Sequence, residues 1–527
     1  MIIFRRVIAL MHLSSLALWS TATSLALAND HHQPAQYPIT MPEQFHPSSQ
    51  SKSIAVIGAG SAGASTAYYL RNYTSHLPLP INLTITVFER NSYIGGRSTT
   101  VDVHDLPSEP VELGASIFVT VNRNLVAAAR AFKLSTSSPD TTVYSQNKAQ
   151  IPALGIYDGT SLILTMQRSG GWWENARLLW RYGTAPISTL RLMKATVGTF
   201  LRMYDAPVFP FRSLTQVALD LGLVDVTAVT GEEFLSNNGV GGEFGREVVQ
   251  ASTRVNYAQD LNKIHGLEAM VCMAAEGAMS VEGGNWRIFE SMLEASGADV
   301  RLETQVGLVK KENNGKWTLS STGDDGKMSV ETFDEVVLAA PMQYSGIGFP
   351  IGTPKHRVDK VPYVDLHVTL FTSKHLLSPT AFGLGTQELV PQAVLTTLPK
   401  DGKGTPPDFQ SISLLREVIS PHTYQTEYLY KVFSMQKPDS TFLGRILGLG
   451  DLDADAEIAK RDISWIYGKL WQSYPYELPR VTFEEIKLDD HFWYTSGIES
   501  FISTMETSSL MGMNVARIMT DEWMRKS

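Results

Sequence analysis

Cysteine is almost missing. Cys272 stands alone among 527 residues. A single thiol closes no internal disulfide, so the fold rests on apolar burial and on whatever the protein binds tightly. Cys272 lies among Val271, Met273, Ala274 and Ala275, a setting that suits a small buried hydrophobe rather than a reactive thiolate. Charge is sparse too: 18% of residues are Asp, Glu, Lys or Arg, and the formal net charge is -9. No long basic run occurs, which argues against nucleic acid as a partner. HExxH, CxxC and carboxylate–histidine clusters are absent, so no metal is expected. The adjacent His31 and His32 sit in a polar stretch and read as solvated. Past the N-terminus no apolar run is long enough to cross a bilayer, and no internal repeat is visible. What is present is ordinary globular material, 43% hydrophobic, enough for two or three domains with a large core.

Residues 1–28 read as a secretory signal. Arg5 and Arg6 form a basic start, Val7 to Trp19 is apolar but short of a span of about 20 residues, and Ala26-Leu27-Ala28 is a small-residue cleavage site. Residues 29–52, rich in His, Pro, Gln and Ser, read as a flexible leader. Sequons at Asn72 and Asn82 agree with passage through the secretory pathway, Asn82 being the less certain because it adjoins a strand. The expected location is a vacuole- or lysosome-like lumen or the cell exterior. No transmembrane span is expected, and peripheral membrane or lipid association stays open.

The most informative segment is Ser53 to Gly63, a short buried strand followed by a glycine turn and a helix through Ala64, Ala67, Tyr68 and Leu70. Gly58 permits the tight turn, Gly60 lets backbone approach a pyrophosphate, and Gly63, next to Ala62, lets helix pack on strand. The phosphate charge would sit at the helix N-terminus. A second strand, Leu83 to Phe88, ends in Glu89, placed to accept from ribose hydroxyls. Next come Arg90 and then Gly95-Gly96-Arg97, where Arg97 offers a fork of donors to a phosphate or a flavin-proximal carbonyl.

These pieces predict an α/β fold with a Rossmann-type nucleotide-binding domain and an interleaved α+β cap. The nucleotide domain is expected to open with 53–125, to resume over 261–349 and to close with 481–527. Between these stretches, a mainly helical cap spans 126–260, and substrate-domain sheet and loops span 350–480. Strands are expected at Asp299 to Val306, Lys316 to Leu319, Glu335 to Pro341 and Tyr363 to Leu370. A helix is expected near Ile463 to Tyr474, and a long one from Glu499. The N-terminus of that last helix, with Gly497 and Ile498, would stabilise negative charge on a reduced flavin.

Glu89-Arg90 with Gly95-Gly96-Arg97 resembles the FAD signature of glutathione-reductase-like flavoproteins, in the branch that holds the amine oxidases. Val111 to Phe118 is similar to the segment that continues the flavin site there, with Gly114, Ala115 and Ser116 small enough to lie against the ring. Arg254 to Gln259, Val281 to Asn285 and Phe492 to Ser500 together resemble the prenylcysteine oxidase (prenylcysteine lyase) family, over essentially 53–525. The resemblance implies noncovalent FAD, with Val306 and Ala340 also at the cofactor. It implies a prenylated thioether substrate, farnesyl- or geranylgeranylcysteine, cleaved with O2 and water to cysteine, a prenyl aldehyde and hydrogen peroxide. A hydride donor whose cation is stabilised by sulfur and an allylic system needs no strong base. His491 is the one candidate for handling water or sulfur, against the more common fate of a structural histidine. Two alternatives stay open: an FAD oxidase of an amine or secondary metabolite, and a non-enzymatic prenyl binder of the Rab escort or GDP-dissociation-inhibitor type.

Overall fold

β1 (Ser51–Ile57) starts the first sheet; its last four residues are apolar and buried. α1 (Ser61–Ser75) turns Ala62, Gly63, Ala64, Ala67 and Leu70 inward. β2 (Asn82–Phe88) then lies parallel to β1, in register from Ser51↔Asn82 to Ile57↔Phe88. The computed structural model describes residues 51–77, 81–138, 151–167, 172–449 and 462–526. The expected signal peptide and all but the last two residues of the expected leader lie outside them. Those two residues, Ser51 and Lys52, belong to β1. Asn72 is exposed on α1, but the Thr74 hydroxyl of its sequon is buried and donates to Leu70 O at 2.7 Å. Asn82 and Thr84 are both exposed on β2.

The chain next leaves for a second body. β3 (Leu154–Tyr157) and β4 (Leu162–Met166) form an antiparallel pair. The cap helices that follow include α2 (Ala185–Leu201), α3 (Gln250–Tyr257) and α4 (Gly266–Met273). The described part of 126–260 is mainly helical, with β3 and β4 added to it. α4, expected in the nucleotide domain, packs on α2 and α3 instead.

The return begins at α5 (Trp286–Ser296), which packs on α1, and β5 (Asp299–Arg301), which pairs parallel with β2. The run expected as one strand from Asp299 to Val306 is broken at Leu302–Thr304. Glu303 adopts a left-handed φ of 50° there, and Thr304 N–H donates to Glu89 O at 2.8 Å. β6 (Gln305–Lys311), β7 (Trp317–Thr322) and β8 (Met328–Phe333) form a separate three-stranded sheet. β9 (Glu335–Leu338) then pairs parallel with β1.

A second excursion supplies β10 (Tyr363–Ser373), β11 (Ala393–Thr396), β12 (Ser411–Ile419), β13 (Thr426–Ser434) and β14 (Ile463–Pro475). With the earlier pair they make a seven-stranded sheet ordered β14-β10-β13-β12-β11-β3-β4. The stretches 126–260 and 350–480 therefore build one body. β14 corrects the helix expected at Ile463 to Tyr474. Ile466, Gly468, Leu470 and Gln472 are exposed, and Trp465, Tyr467, Lys469 and Trp471 between them are half-buried. That period of two, rich in aromatics, belongs to a strand.

β15 (Lys487–Asp489) and β16 (Phe492–Tyr494) complete a six-stranded sheet ordered β15-β16-β9-β1-β2-β5. The last helix, α6 (Met505–Lys526), starts later than expected. Ser496–Ser500 is a separate 3-10 turn, and Thr504 Oγ1 accepts from Thr507 N–H at 3.0 Å at the start of α6. α6 runs in the same direction as α1: Ser61 Oγ donates to Met505 O at 2.6 Å, and Ser65 Oγ to Ser509 Oγ at 2.7 Å. Among the described residues no helix is long and apolar enough to cross a membrane.

Candidate cofactor and active site

The glycine turn leaves the carboxyl end of β1 beside the end of β9. Gly58 holds φ at 111°, and a Cβ there would meet Ala339 O at 2.7 Å. A Cβ on Gly63 would lie 1.9 Å from Gly58 O, so α1 rests directly on the turn. Gly60 abuts the second glycine motif. Gly95 N–H donates to Ala59 O at 3.0 Å, and a Cβ on Gly96 would come within 3.4 Å of Gly60 Cα. The result is a cradle walled by bare backbone. Glu89, 5% exposed, closes one end. Its Oε2 accepts from Ala59 N–H at 2.9 Å, and Oε1 accepts from Asn91 N–H at 2.9 Å and Asn91 Nδ2 at 2.6 Å. A close-approach cradle ending in a fixed carboxylate fits the pyrophosphate and ribose of a dinucleotide. Val306 is brought near by the Thr304–Glu89 bond and shares an apolar cluster with Ile57 and Phe88.

The two arginines are committed to protein partners. Arg90 Nη1 donates to Tyr344 O at 2.7 Å. Arg97 Nη1 donates to Ser473 O at 2.6 Å, and its Nη2 pairs with Glu499 Oε2 at 2.8 Å. Burial works against the Arg97 charge, but Glu499 and Tyr363 outweigh it and hold the guanidinium above its ordinary range. Arg97 thus bolts the glycine motif to β14 and to the 3-10 turn, instead of presenting those nitrogens to a ligand.

The segment with Gly114, Ala115 and Ser116 is clamped from two sides. Ala115 holds a left-handed φ of 51°, a conformation that costs a non-glycine residue about 1–3 kcal/mol. Its carbonyl accepts from Asn285 Nδ2 at 2.8 Å, while Asn285 Oδ1 accepts from Val281 N–H at 2.8 Å and Asn285 N–H donates to Glu112 Oε1 at 2.6 Å. From β13, Lys431 Nζ donates to Glu112 O at 2.7 Å and to Ser116 Oγ at 2.9 Å. Burial pushes Glu112 up to about 7 and Lys431 down to about 8, each countered in part by the other's charge. Sequence reasoning missed Lys431. Its signal was a lone charge inside the apolar run Tyr428 to Phe433.

Gly497 and Ile498 are buried in the 3-10 turn, not at the start of the long helix. Thr495 N–H donates to Leu338 O at 3.2 Å, which sets this turn beside Ala340. A cleft lined by Pro341, Met342, Tyr363, Tyr494, Ser496 and Ser500 runs between them. His491 is not brought to this place. It precedes β16 at the amino end of the sheet, about 10 Å of strand away from the glycine turn. There its Nδ1 meets Glu335 Oε1 at 2.8 Å, and Glu335 also accepts from the indoles of Trp493 and Trp523. That geometry is structural.

A parallel sheet carrying a dinucleotide cradle, joined to a second sheet with a helical cap, defines a two-domain flavoprotein of amine-oxidase architecture. Cyclohexylamine oxidase from Brevibacterium oxydans aligns with a TM-score of 0.52 over 90% of this chain and 100% of its own, at 16% identity. A putrescine oxidase variant gives 0.52 over 89% and 99%, at 15% identity. At such identities the likeness speaks for the fold. The family is narrower. The prenylcysteine lyase family model matches residues 165–527, and an NAD(P)-binding Rossmann-like domain model matches 56–132. The chain belongs to the prenylcysteine lyase family. It is 28% identical to a farnesylcysteine lyase of Arabidopsis thaliana, over 90% of this chain and 89% of that one. It is 27% identical to human prenylcysteine oxidase 1, over 89% of each.

Proposed function

We propose that this chain is an FAD-dependent oxidoreductase that cleaves the thioether of a prenylated cysteine. The observation that carries the reading is the intact cradle of Gly58, Gly60, Gly63 and Glu89 in a chain whose cap and second sheet match the prenylcysteine lyase family. FAD, when bound, supplies the two-electron acceptor for oxidation of the carbon attached to sulfur. The balance is one thioether, one water and one O2 giving cysteine, a prenyl aldehyde and hydrogen peroxide. Gly60 would let the backbone approach the pyrophosphate, Gly58 and Gly63 shape the turn and seat α1 on it, and Glu89 would orient the ribose. Asn285 and Lys431 hold the Ala115–Ser116 loop where the ring would lie. Lys431 Nζ is the group best placed to hold or release a proton there. The apolar cap takes the isoprenoid tail, each buried CH₂ contributing about 0.8 kcal/mol.

Neither alternative gains support. Shared fold does not carry the substrates of amine oxidases over. A prenyl binder without redox chemistry has no need of a hydrogen-bonded Glu89. The reading extends to O2 as the terminal acceptor, to noncovalent FAD, and, from the N-terminal signal, to a secretory-pathway lumen or the cell exterior. Incubation of the yellow holoprotein with farnesylcysteine in air tests it. Equimolar farnesal, cysteine and peroxide are expected; peroxide only from amines would overturn it.

A further inference from the structure

A second polar cluster lies where cap, seven-stranded sheet and C-terminal segment meet. His265, Glu268 and Glu477 present ligand atoms all within 4.8 Å of one another, and none of the three side chains is accessible. No hydrogen bond of good geometry reaches either oxygen of Glu268, either of Glu477 or Nε2 of His265; the polar neighbours of Glu268, Tyr257 Oη and the Ser503 backbone, and that of His265, the Ser500 backbone, make only loose contacts. A buried polar atom without a good hydrogen bond costs up to about 1–3 kcal/mol, so five in one dry spot demand a reason.

A metal ion does not provide it. Glu268 N–H donates to His265 Nδ1 at 3.1 Å, so Nδ1 keeps its lone pair. The neutral ring then carries its proton on Nε2, which is closed to a metal and lies 3.5 Å from Glu477 Oε2. Two bare carboxylates cannot share a dry site with no cation between them, so a proton must sit on the pair. Burial raises Glu268 to about 8. It also raises Glu477, which Glu268 and Glu499 push up further, and it lowers His265 to about 3. The other groups facing the cluster are Tyr257 of α3, Cys272 of α4, Tyr474 of β14, and Arg480 and Glu484 beyond β14. Arg480 does not neutralise the pair, because it is bonded to Glu484 at 3.0 Å.

The cluster is fastened to the cofactor turn. His265 N–H donates to Glu477 O at 2.7 Å, and Tyr257 Oη donates to Ser503 O at 3.2 Å. Backbone of Ser500 and Ser503 faces His265 and Glu268. We propose that His265, Glu268 and Glu477 are positioning residues whose protonated carboxyl pair holds Ser500–Ser503, and through it the Gly497–Ile498 turn, against the cofactor. This rests on the placement of the cofactor at Gly497–Ile498.

The direction with pH follows. A carboxyl whose folded value lies above its unfolded one, about 4.3, binds protons better in the native state. Its stabilising effect is complete below about 4.3 and is lost as pH rises through about 8. The test is flavin release from the holoenzyme, followed by fluorescence from about pH 5 to about pH 8.5, with the hydrogen-exchange protection of residues 496–503, corrected for the intrinsic pH dependence of amide exchange, read alongside. Release should rise and protection should fall, each about tenfold, the equivalent of one unit of pKa. In Glu268→Gln and Glu477→Gln, which are neutral isosteres, both profiles should flatten, and EDTA should change nothing. A flat wild-type profile, an unchanged slope in both variants, or loss of flavin to EDTA overturns the proposal. If the protein purifies without flavin, the cofactor reading itself fails; flavin that is bound but insensitive to pH sinks this proposal alone.

Discussion

Glu89 does two jobs with one carboxylate. Its Oε2 receives the Ala59 N–H, which fixes the glycine turn, and its Oε1 receives Asn91 twice, which fixes the start of the second glycine motif. In Glu89→Gln one oxygen becomes an NH₂ group facing an N–H donor, and a buried donor is left unpaired at about 1–3 kcal/mol. Flavin content, read as the ratio of visible to protein absorbance, should fall about tenfold or more. A full complement would mean that the carboxylate does not organise the cradle. Lys431 makes a different prediction. Its ammonium is charged below about 8 and neutral above, and it touches the Ala115–Ser116 loop through Ser116. The pH profile of anaerobic flavin reduction by substrate should show a step near 8 that Lys431→Met abolishes, with a loss of about tenfold or more, the scale of a hydrogen bond to a charged group. Glu89 was legible in the sequence because strand, turn and acid come in order over a short span. Lys431 was not, because its partners Glu112 and Ser116 lie more than three hundred residues earlier.

Among the elements, the pairing of α1 with α6 is the tightest helix contact in the nucleotide domain. A Cβ on Gly512 would stand 2.4 Å from Ala62 O and 2.9 Å from Thr66 N, both backbone atoms of α1 that cannot yield. Gly512→Val should therefore force the helices apart, at about 1–3 kcal/mol or more. A melting curve should drop by several degrees, and flavin should be lost with it because Ser61 at the head of α1 adjoins the cradle. An unchanged melting temperature would show that the two helices are loosely held. The elements differ in how far sequence reveals them. β1, α1 and β2 were readable because local pattern and tertiary role agree. β14 was misread as a helix: its aromatics and lysine suit either period, and only pairing with β10 along the sheet decides between them. The late start of α6 has a comparable cause. Glu499, which read as the first turn of that helix, is held out of it by Arg97 and Tyr363.

At the scale of the whole molecule, the chain is woven. It passes from the six-stranded sheet to the seven-stranded sheet and back, twice, so neither body is a continuous stretch. Among the junctions that bind the bodies are Arg97 to Ser473, Lys431 to the Glu112–Ser116 loop, and Tyr257 to Ser503. Each lies on or beside the candidate cofactor residues. A flavin bound across this seam would stabilise both bodies at once, by mass action on the native state alone. The holoprotein is therefore expected to unfold in one calorimetric transition, with flavin fluorescence appearing at the same temperature as the loss of near-ultraviolet dichroism. Arg97→Lys keeps the charge but loses the two-pronged fork, so either the bond to Ser473 O or the one to Glu499 is lost. In that variant flavin release should precede unfolding by several degrees. Two separate transitions in the wild-type holoprotein would show that the junctions do not couple the bodies. Coincident loss in Arg97→Lys would show that Arg97 is not one of the ties.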